Sequence, residues 1–498
     1  GSDSGSDSGS GSSGSGSSGS GSGDDEFLAP RLVTAYNHSI GAPEAWDDGY
    51  TGKGVGVAVI DTGIAGDLAD FRTSRSTATS RVIASAVVNP SASNSADGLG
   101  HGTHIAGLIA GNGKNRSSTD PLQGKYVGVA PHANLISVKA GDEEGRATVL
   151  DVIDGLQFVV DYRKDYNIKV VNLSLRSTSA QSYKTDPLDA AVEAAWFSGI
   201  TVVVAAGNEG TDADAVNYAP ANDPYVITVG GVDDQGTKTV SDDTVASWSS
   251  RGTTQDGITK PDVLAPGAHM VSTMAPDSSY PTLCPTCVTD GQYFKVGGTS
   301  MAAGVVSGAI ATIIQARPYW TPNQIKSTLV KRGRALTAIT TSTGATVDGT
   351  VIDGAAPSSV SSNTIIGSEI AIDRVLARSL PDAGINGGLV PNELVNPLTG
   401  AIDYTRASWS RASWSQAVDA LRASWSRASW SRASWSRASW SASIQSCSDF
   451  ERASWSRASW SAEDIQYAKD ACTQMDPTRA SWSVADFQRA SWSTSFDK

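Results

Sequence analysis

The chain has 498 residues, with 38 Lys and Arg against 51 Asp and Glu and a formal charge of −13. That length accommodates one large domain plus additions, and so acidic a chain is a poor partner for nucleic acid. No apolar run approaches the roughly 20 residues that span a bilayer, and no signal-peptide pattern opens the sequence.

Residues 1–26 read as a leader. The first 23 are only Gly, Ser and Asp, so they bury no apolar surface and are expected to be flexible and solvated. Globular composition starts at Phe27. Apolar, β-branched runs at 55–60, 82–88, 134–138, 168–173, 200–205 and 225–229 predict fully buried strands. Helical patterns lie between several of them. Over 148–165, Val149, Val152, Ile153, Leu156, Val159 and Val160 share one face. Over 187–197, Leu188, Ala191, Val192 and Ala195 do so, behind Asp186 as candidate N-cap. The run from Met301 to Ile314 is almost free of charge and predicts a buried helix. Thr321 as N-cap and Pro322 at the first helical position begin another, and 370–377 closes the domain. Strands alternating with helices predict an α/β fold with a mostly parallel sheet and helices on both faces.

Residues 381–400 are rich in Pro, Gly and Asn and read as a linker. In the tail, 401–498, Arg-Ala-Ser-Trp-Ser occurs ten times, at Arg406, Arg411, Arg422, Arg427, Arg432, Arg437, Arg452, Arg457, Arg479 and Arg489. A period of five matches neither helix nor strand. The pentads could stack as a repeat module, since large aromatics bury much area. They could dock on the domain surface, or serve as an adhesive arm toward a cell-surface polymer or other copies of the chain. The plain alternative is a disordered low-complexity tail. Four cysteines allow three connectivities. No histidine lies near them, which disfavours zinc, and the Cys284-x-x-Cys287 surroundings do not look like a thioredoxin unit. Two disulfides, Cys284–Cys287 and Cys447–Cys472, are expected, as in a secreted protein.

Three polar residues stand at the ends of these elements. Asp61 ends the first apolar run, His101 opens a helical stretch, and Ser300 follows Gly297-Gly298-Thr299 at the head of the buried helix. Each alone has a plain reading. Asp61 would be a turn residue, Ser300 an N-cap, and Asn208 a turn former before Gly210. His101 and His104 could ligate a metal, but the pair lacks the Glu of a zincin motif. Together they appear in the order Asp, His, Ser, which is the subtilisin order.

Asp61-Thr62-Gly63, His101-Gly102-Thr103-His104, Ala206-Gly207-Asn208 and Gly298-Thr299-Ser300-Met301-Ala302, in this order, resemble the motifs of subtilisin-type serine proteases. The resemblance covers about residues 31–380, and a domain over 27–380. It implies a subtilisin-like three-layer fold and a secreted serine endopeptidase acting on proteins or peptides through an acyl-enzyme, without a catalytic cofactor. It also implies that a signal and a pro-segment were removed from a mature form. Ser300 would be the nucleophile, His101 the general base and Asp61 its orienting partner. Asn208 and the Ser300 N–H would hold the oxyanion, and His104 would be structural. The substrate would pair with 140–145, which includes Gly141, and with 173–176. Ser174, Leu175, Arg176, Ala205, Ala206 and Gly207 would wall the S1 pocket. Structural calcium is implied without assigned ligands. The 112–126 loop, with Asn115, Asp120 and Gln123 as oxygen donors, occupies the place of a family calcium loop. Two positions depart from the pattern: Arg176, where small residues are common, and Gly304, near where proline usually fixes the helix start. Asp142, Glu143 and Glu144 could favour basic or polar residues at S2–S4, or simply form a solvated acidic loop.

Overall fold

The computed structural model describes residues 31–336 and 367–396, with Gly1 and Ile402, and places short backbone strands within 338–361 and at 489–492 and 495–496. The leader, Cys447, Cys472 and nearly all of the pentads lie outside the described residues.

The strands that position the site are β1 (Gly56–Asp61), β2 (Val82–Val87), β3 (Asn134–Lys139), β4 (Ala147–Thr148), β5 (Ile168–Leu173), β6 (Leu175–Arg176), β7 (Thr201–Ala205) and β8 (Ile227–Asp233). The helices are α1 (Tyr36–Ser39), α2 (Ala42–Asp47), α3 (His101–Ala110), α4 (Val149–Asp161), α5 (Pro187–Phe197), α6 (Tyr280–Leu283), α7 (Thr299–Ala316), α8 (Pro322–Arg332) and α9 (Ile372–Leu376). The main sheet runs Arg334–Leu336, Gly367–Glu369, Val263–Pro266, β8, β7, β5, β1, β3, β2. All neighbours along it are parallel except the first pair. The predicted α/β architecture with a mostly parallel sheet is therefore what forms.

The continuous apolar runs follow from burial on both faces. β1, β7 and β8 are buried at every position, whereas the edge strand β2 alternates between half-buried and exposed. Register identifies the two faces. Asn172 of β5 accepts a hydrogen bond from Ser307 of α7 at 2.9 Å and sits opposite Val59 of β1. The next residue, Ile60, points the other way, and its side chain would touch a Cβ added at Gly155 of α4. So α7 covers one face and α4 the other. Of the helices in the described residues, α7 alone is long and apolar enough to cross a membrane, and 89% of it is buried inside the fold.

Local signals set the helix starts. Thr148 and Asp151 form a capping box for α4, and Thr321 and Gln324 form one for α8. Asp186 accepts from the N–H groups of Leu188 and Asp189 at the start of α5. Helix α9 is shorter than the 370–377 pattern predicts. Residues 381–396, expected as a linker, run along the domain surface and are anchored to it. The Asn392 N–H donates to buried Glu193 at 2.9 Å, and the hydroxyls of Tyr183 and Tyr225 donate to the carbonyls of Val390 and Leu389.

The sheet order reverses beside β1. The chain winds to β2 and β3 on one side, then to β5, β7 and β8 on the other. In an open α/β sheet the crevice at the carboxyl ends of such strands is where ligands bind. Asp61 ends β1 at that point. A second, antiparallel ribbon, Met270–Thr273 with Tyr293–Gly297, leads directly into α7 and carries Ser300 to the same end.

Candidate active site

Asp61 is fully buried, and its Oδ1 accepts from the Thr62 N–H at 2.7 Å. His101, the first residue of α3, holds its Nδ1 2.7 Å and 2.9 Å from the two Asp61 oxygens. This spacing fixes the ring plane and turns Nε2 to the opposite edge. Burial pushes the Asp61 carboxyl up from its ordinary range, and the neighbouring imidazole opposes that push. Helix α3 approaches the Asp61 turn so closely that a Cβ at Gly102 would lie 2.2 Å from the Gly63 carbonyl oxygen. Only glycine fits there.

Asp97 and Thr62 have a role that motif reading missed. Asp97 is buried, and its Oδ1 accepts from the Gly100 N–H at 2.7 Å and from the Thr62 hydroxyl at 2.8 Å. Its Oδ2 accepts from the Thr103 N–H at 2.7 Å. The Thr62 hydroxyl in turn accepts from the Gly102 N–H at 3.0 Å. One carboxylate thus satisfies the first turn of α3 and ties it to the Asp61 turn. The available signal was an acidic residue just ahead of a helix that starts on Gly100 and lacks a side-chain cap.

Ser300 is the second residue of α7, where backbone N–H groups point out of the helix end. Its Oγ lies 3.3 Å from the Ser174 carbonyl oxygen, and the Ser174 hydroxyl donates to the Ser300 carbonyl at 3.0 Å. Asn208 follows β7. Its Oδ1 accepts from both the N–H and the hydroxyl of Thr299, each at 3.0 Å. Because the N–H can only donate, the amide orientation is fixed. The Asn208 Nδ2 is buried and makes no hydrogen bond among the described residues. A buried amide donor aimed beside a serine at a helix N-terminus can stabilise negative charge developing on a bound carbonyl oxygen. The Thr299 hydroxyl also accepts from the Gly207 N–H at 3.0 Å, so Gly207, Asn208 and the residue before Ser300 form one unit.

His104 lies apart from this chemistry. Its Nε2 sits 3.0 Å from the Phe294 carbonyl and 3.2 Å from that of Met270. Burial pushes its imidazole down to about 3, so it is neutral and joins α3 to the antiparallel ribbon.

Of the residues expected to wall S1, Ser174 links β5 to β6, Leu175 and Arg176 form β6, and Ala205 ends β7 with Ala206 and Gly207 directly after it. The Gly141 N–H donates to the Asp61 carbonyl at 3.1 Å. Arg176 is turned toward Glu209 and Tyr218. Its Nη2 lies 2.6 Å from Oε1 of Glu209, and its guanidinium lies over the Tyr218 ring at 4.2 Å. Glu209 directly follows Asn208, so this ion pair joins the two walls.

On the opposite side of the crevice stand residues 140–145, expected to pair with substrate. Those residues close into a turn, with the Asp142 N–H donating to the Arg146 carbonyl at 2.9 Å. The strand that follows it is β4. The three acids are already paired: Asp142 and Glu144 with Arg146 at 2.8 Å and 2.7 Å, and Glu143 with Lys139 at 3.1 Å. Asp142 and Glu144 share the single Arg146, so these three carboxylates meet two cations and keep one net negative charge.

The calcium donors do not fit an ion either. Asn115 donates its Nδ2 to the Arg72 carbonyl at 2.7 Å, and Gln123 Oε1 accepts from Arg31 at 3.3 Å. Asp120 accepts from Arg116 Nε at 2.9 Å. Arg116 Nη1 also lies 3.2 Å from Asp70 Oδ1, and the Tyr293 hydroxyl donates to Asp70 Oδ2 at 2.9 Å. A guanidinium therefore stands between the carboxylates. Among the described residues no group of three His, Cys, Asp or Glu side chains could hold a metal. Cys284 and Cys287 are disulfide-bonded. The helix turn at Gly304 has room for a Cβ, with Ile105 and Leu108 at 3.4–3.5 Å, whereas at Gly308 a Cβ would lie 2.8 Å from that of Val129. The close helix approach is thus at Gly308.

Comparison with known proteins agrees with these motifs. A model of the subtilase family matches residues 52–351. The serine protease AprX of Bacillus subtilis (strain 168) is 40% identical over 290 residues, 57% of this chain and 62% of that protein. Subtilisin E of the same organism is 34% identical over 293 residues, 58% of this chain and 63% of its own. Subtilisin BL of Lederbergia lenta is 34% identical over 297 residues, 59% of this chain and 89% of its own. The chain thus spans somewhat under two thirds of the length of the first two. With the family matched over more than half of its residues, the chain belongs to the subtilase family.

Proposed function

We propose that this chain is a serine endopeptidase that hydrolyses peptide bonds in proteins through Ser300. The observation that carries the reading is the locked amide of Asn208, with its buried Nδ2 aimed beside the start of α7 while Asp61 holds the His101 ring on the same crevice. His101 takes the proton from the Ser300 hydroxyl as Oγ attacks the scissile carbonyl, and Asp61 stabilises the imidazolium. The oxyanion receives hydrogen bonds from Asn208 Nδ2 and the Ser300 N–H. His101 then gives its proton to the leaving amine, and water repeats the sequence on the acyl-enzyme with His101 again as base. No cofactor enters these steps. Secretion belongs to the same reading, supported by the disulfide between Cys284 and Cys287.

The test is casein hydrolysis by the wild-type chain and by Ser300→Ala, each with an unfolding curve. Activity that disappears in a variant of unchanged stability is the expected result. Activity that survives in Ser300→Ala would refute the assignment.

A further inference from the structure

The last pentad of the tail does not lie apart from the domain. Its backbone strand, Arg489–Trp492, runs antiparallel to both walls of the crevice. Arg489 and Ala490 pair with Thr148 and Ala147 of β4, and Ser491 and Trp492 pair with Arg176 and Leu175 of β6. The next strand, Ser495–Phe496, pairs antiparallel with Gly297 and Val296. Both docking edges are tied to the reacting serine. Leu175 follows Ser174, whose carbonyl lies 3.3 Å from Ser300 Oγ, and Gly297 stands three residues before Ser300. The segment is thus paired on one side of Ser300 and again on the other, as an extended peptide crossing the site would be.

We propose that the crevice takes the chain's own closing segment, 489–496, as an added strand, making the final pentad an intramolecular competitor of peptide substrates. Its competitive effect rests on the peptidase reading, while the docking itself does not. β4 and β6 are two-residue edges that face each other across the crevice, and such edges recruit extended peptides through main-chain hydrogen bonds. Nine further copies of Arg-Ala-Ser-Trp-Ser precede the docked one, but only the last is followed by Thr494-Ser495-Phe496, the stretch whose strand pairs with Gly297 and Val296. A tethered ligand reaches an effective concentration of order millimolar, comparable with or above the usual KM range of about 1 μM–1 mM.

The test uses the full-length protein with Ala490→Pro and Ser491→Pro together. Proline has no N–H, and adjacent strand residues direct their N–H groups to opposite edges, so pairing fails toward both walls. For a chromogenic peptide substrate, the double variant should show an apparent KM about 2- to 10-fold lower than wild type at the same kcat, the range expected when millimolar tethered competition is lifted. In a Ser300→Ala background, fluorescently labelled Arg-Ala-Ser-Trp-Ser-Thr-Ser-Phe should bind the proline variant tighter by a similar factor. Equal peptide affinity with and without the prolines overturns the proposal, as does an unchanged KM. If the affinity difference appears but neither chain carrying Ser300 hydrolyses any peptide, the docking stands and the peptidase reading falls.

Discussion

Replacing Arg116 with Met tests whether a side chain does the work of a structural cation. Arg116 is 5% exposed and lies between Asp70 and Asp120, with Asp70 itself 2% exposed. Removing the guanidinium leaves the Asp70 carboxylate buried, with the Tyr293 hydroxyl still donating to it. Breaking a buried pair from one side costs about 3–5 kcal/mol. With an unfolding entropy of about 2.1 cal/mol/K per residue over roughly 300 residues, that lowers Tm by about 5–8 °C. The assay is thermal melting in a Ser300→Ala background, which prevents self-digestion, with and without chelator. Wild type should melt at the same temperature in both, because Arg116 already supplies the positive charge. The pH dependence has a definite sign. Burial pushes the Asp70 carboxyl up and Arg116 opposes it, so without Arg116 the folded state holds the proton to higher pH. The deficit of the variant should therefore be largest above neutrality and shrink in acid, as Asp70 protonates. Asp70→Asn in the Arg116→Met chain should recover part of the loss. A wild-type Tm that falls with chelator, or an Arg116→Met chain as stable as wild type, would refute the argument.

Asn208→Ala should lower kcat about 100- to 1,000-fold with little change in KM, the range known for such a donor in subtilisin, while Asn208→Asp should be as damaging because a carboxylate repels the oxyanion. Gly304→Ala should stabilise the fold by about 0.5–1 kcal/mol through helix propensity, since a Cβ fits there, but Gly308→Ala should cost about 1–3 kcal/mol through overpacking; urea unfolding of the two variants separates them. His104 stays neutral when folded down to about pH 3 but protonates near 6.5 when unfolded, so between those values the unfolded chain binds an extra proton. Stability should fall with decreasing pH there, by up to about 1.4 kcal/mol per unit from this group, and His104→Gln should flatten that slope. An equal slope in the variant would show that His104 is not its source.

The strands were legible because the parallel sheet is covered on both faces, so burial writes itself as unbroken runs such as 55–60 and 200–205 in the sequence. The starts of α5 and α8 were legible because Asp186 and Thr321 cap within three residues of themselves. Asp61, His101, Asn208 and Ser300 stood out through motifs in a fixed order. What stayed hidden depends on residues far apart in the chain. Arg116 meets Asp70 across 46 residues, and Arg176 meets Glu209 across a strand and a helix. The family resemblance suggested oxygen ligands for an ion in 112–126, yet the same carboxylate serves a guanidinium equally well. Asp97 caps α3 from three residues ahead of its cap position, so the N-cap rule alone does not single it out. The turn at 142–146 closes through Arg146, whose carbonyl and side chain both meet Asp142, a contact no motif announces.

On the peptidase reading, the ion pair between Arg176 and Glu209 has a consequence for how this chain could change what it cuts. Arg176 is the obvious residue to shrink when a roomier pocket is wanted, yet its partner is the immediate neighbour of the amide whose placement Thr299 fixes. A substitution at Arg176 removes one side-chain partner of Glu209 and leaves the Ser250 hydroxyl, which donates to its Oε2 at 3.1 Å, one peptide bond from Asn208. On that reading, selectivity and turnover are geared together through this pair, and a change at 176 calls for a matching one at 209.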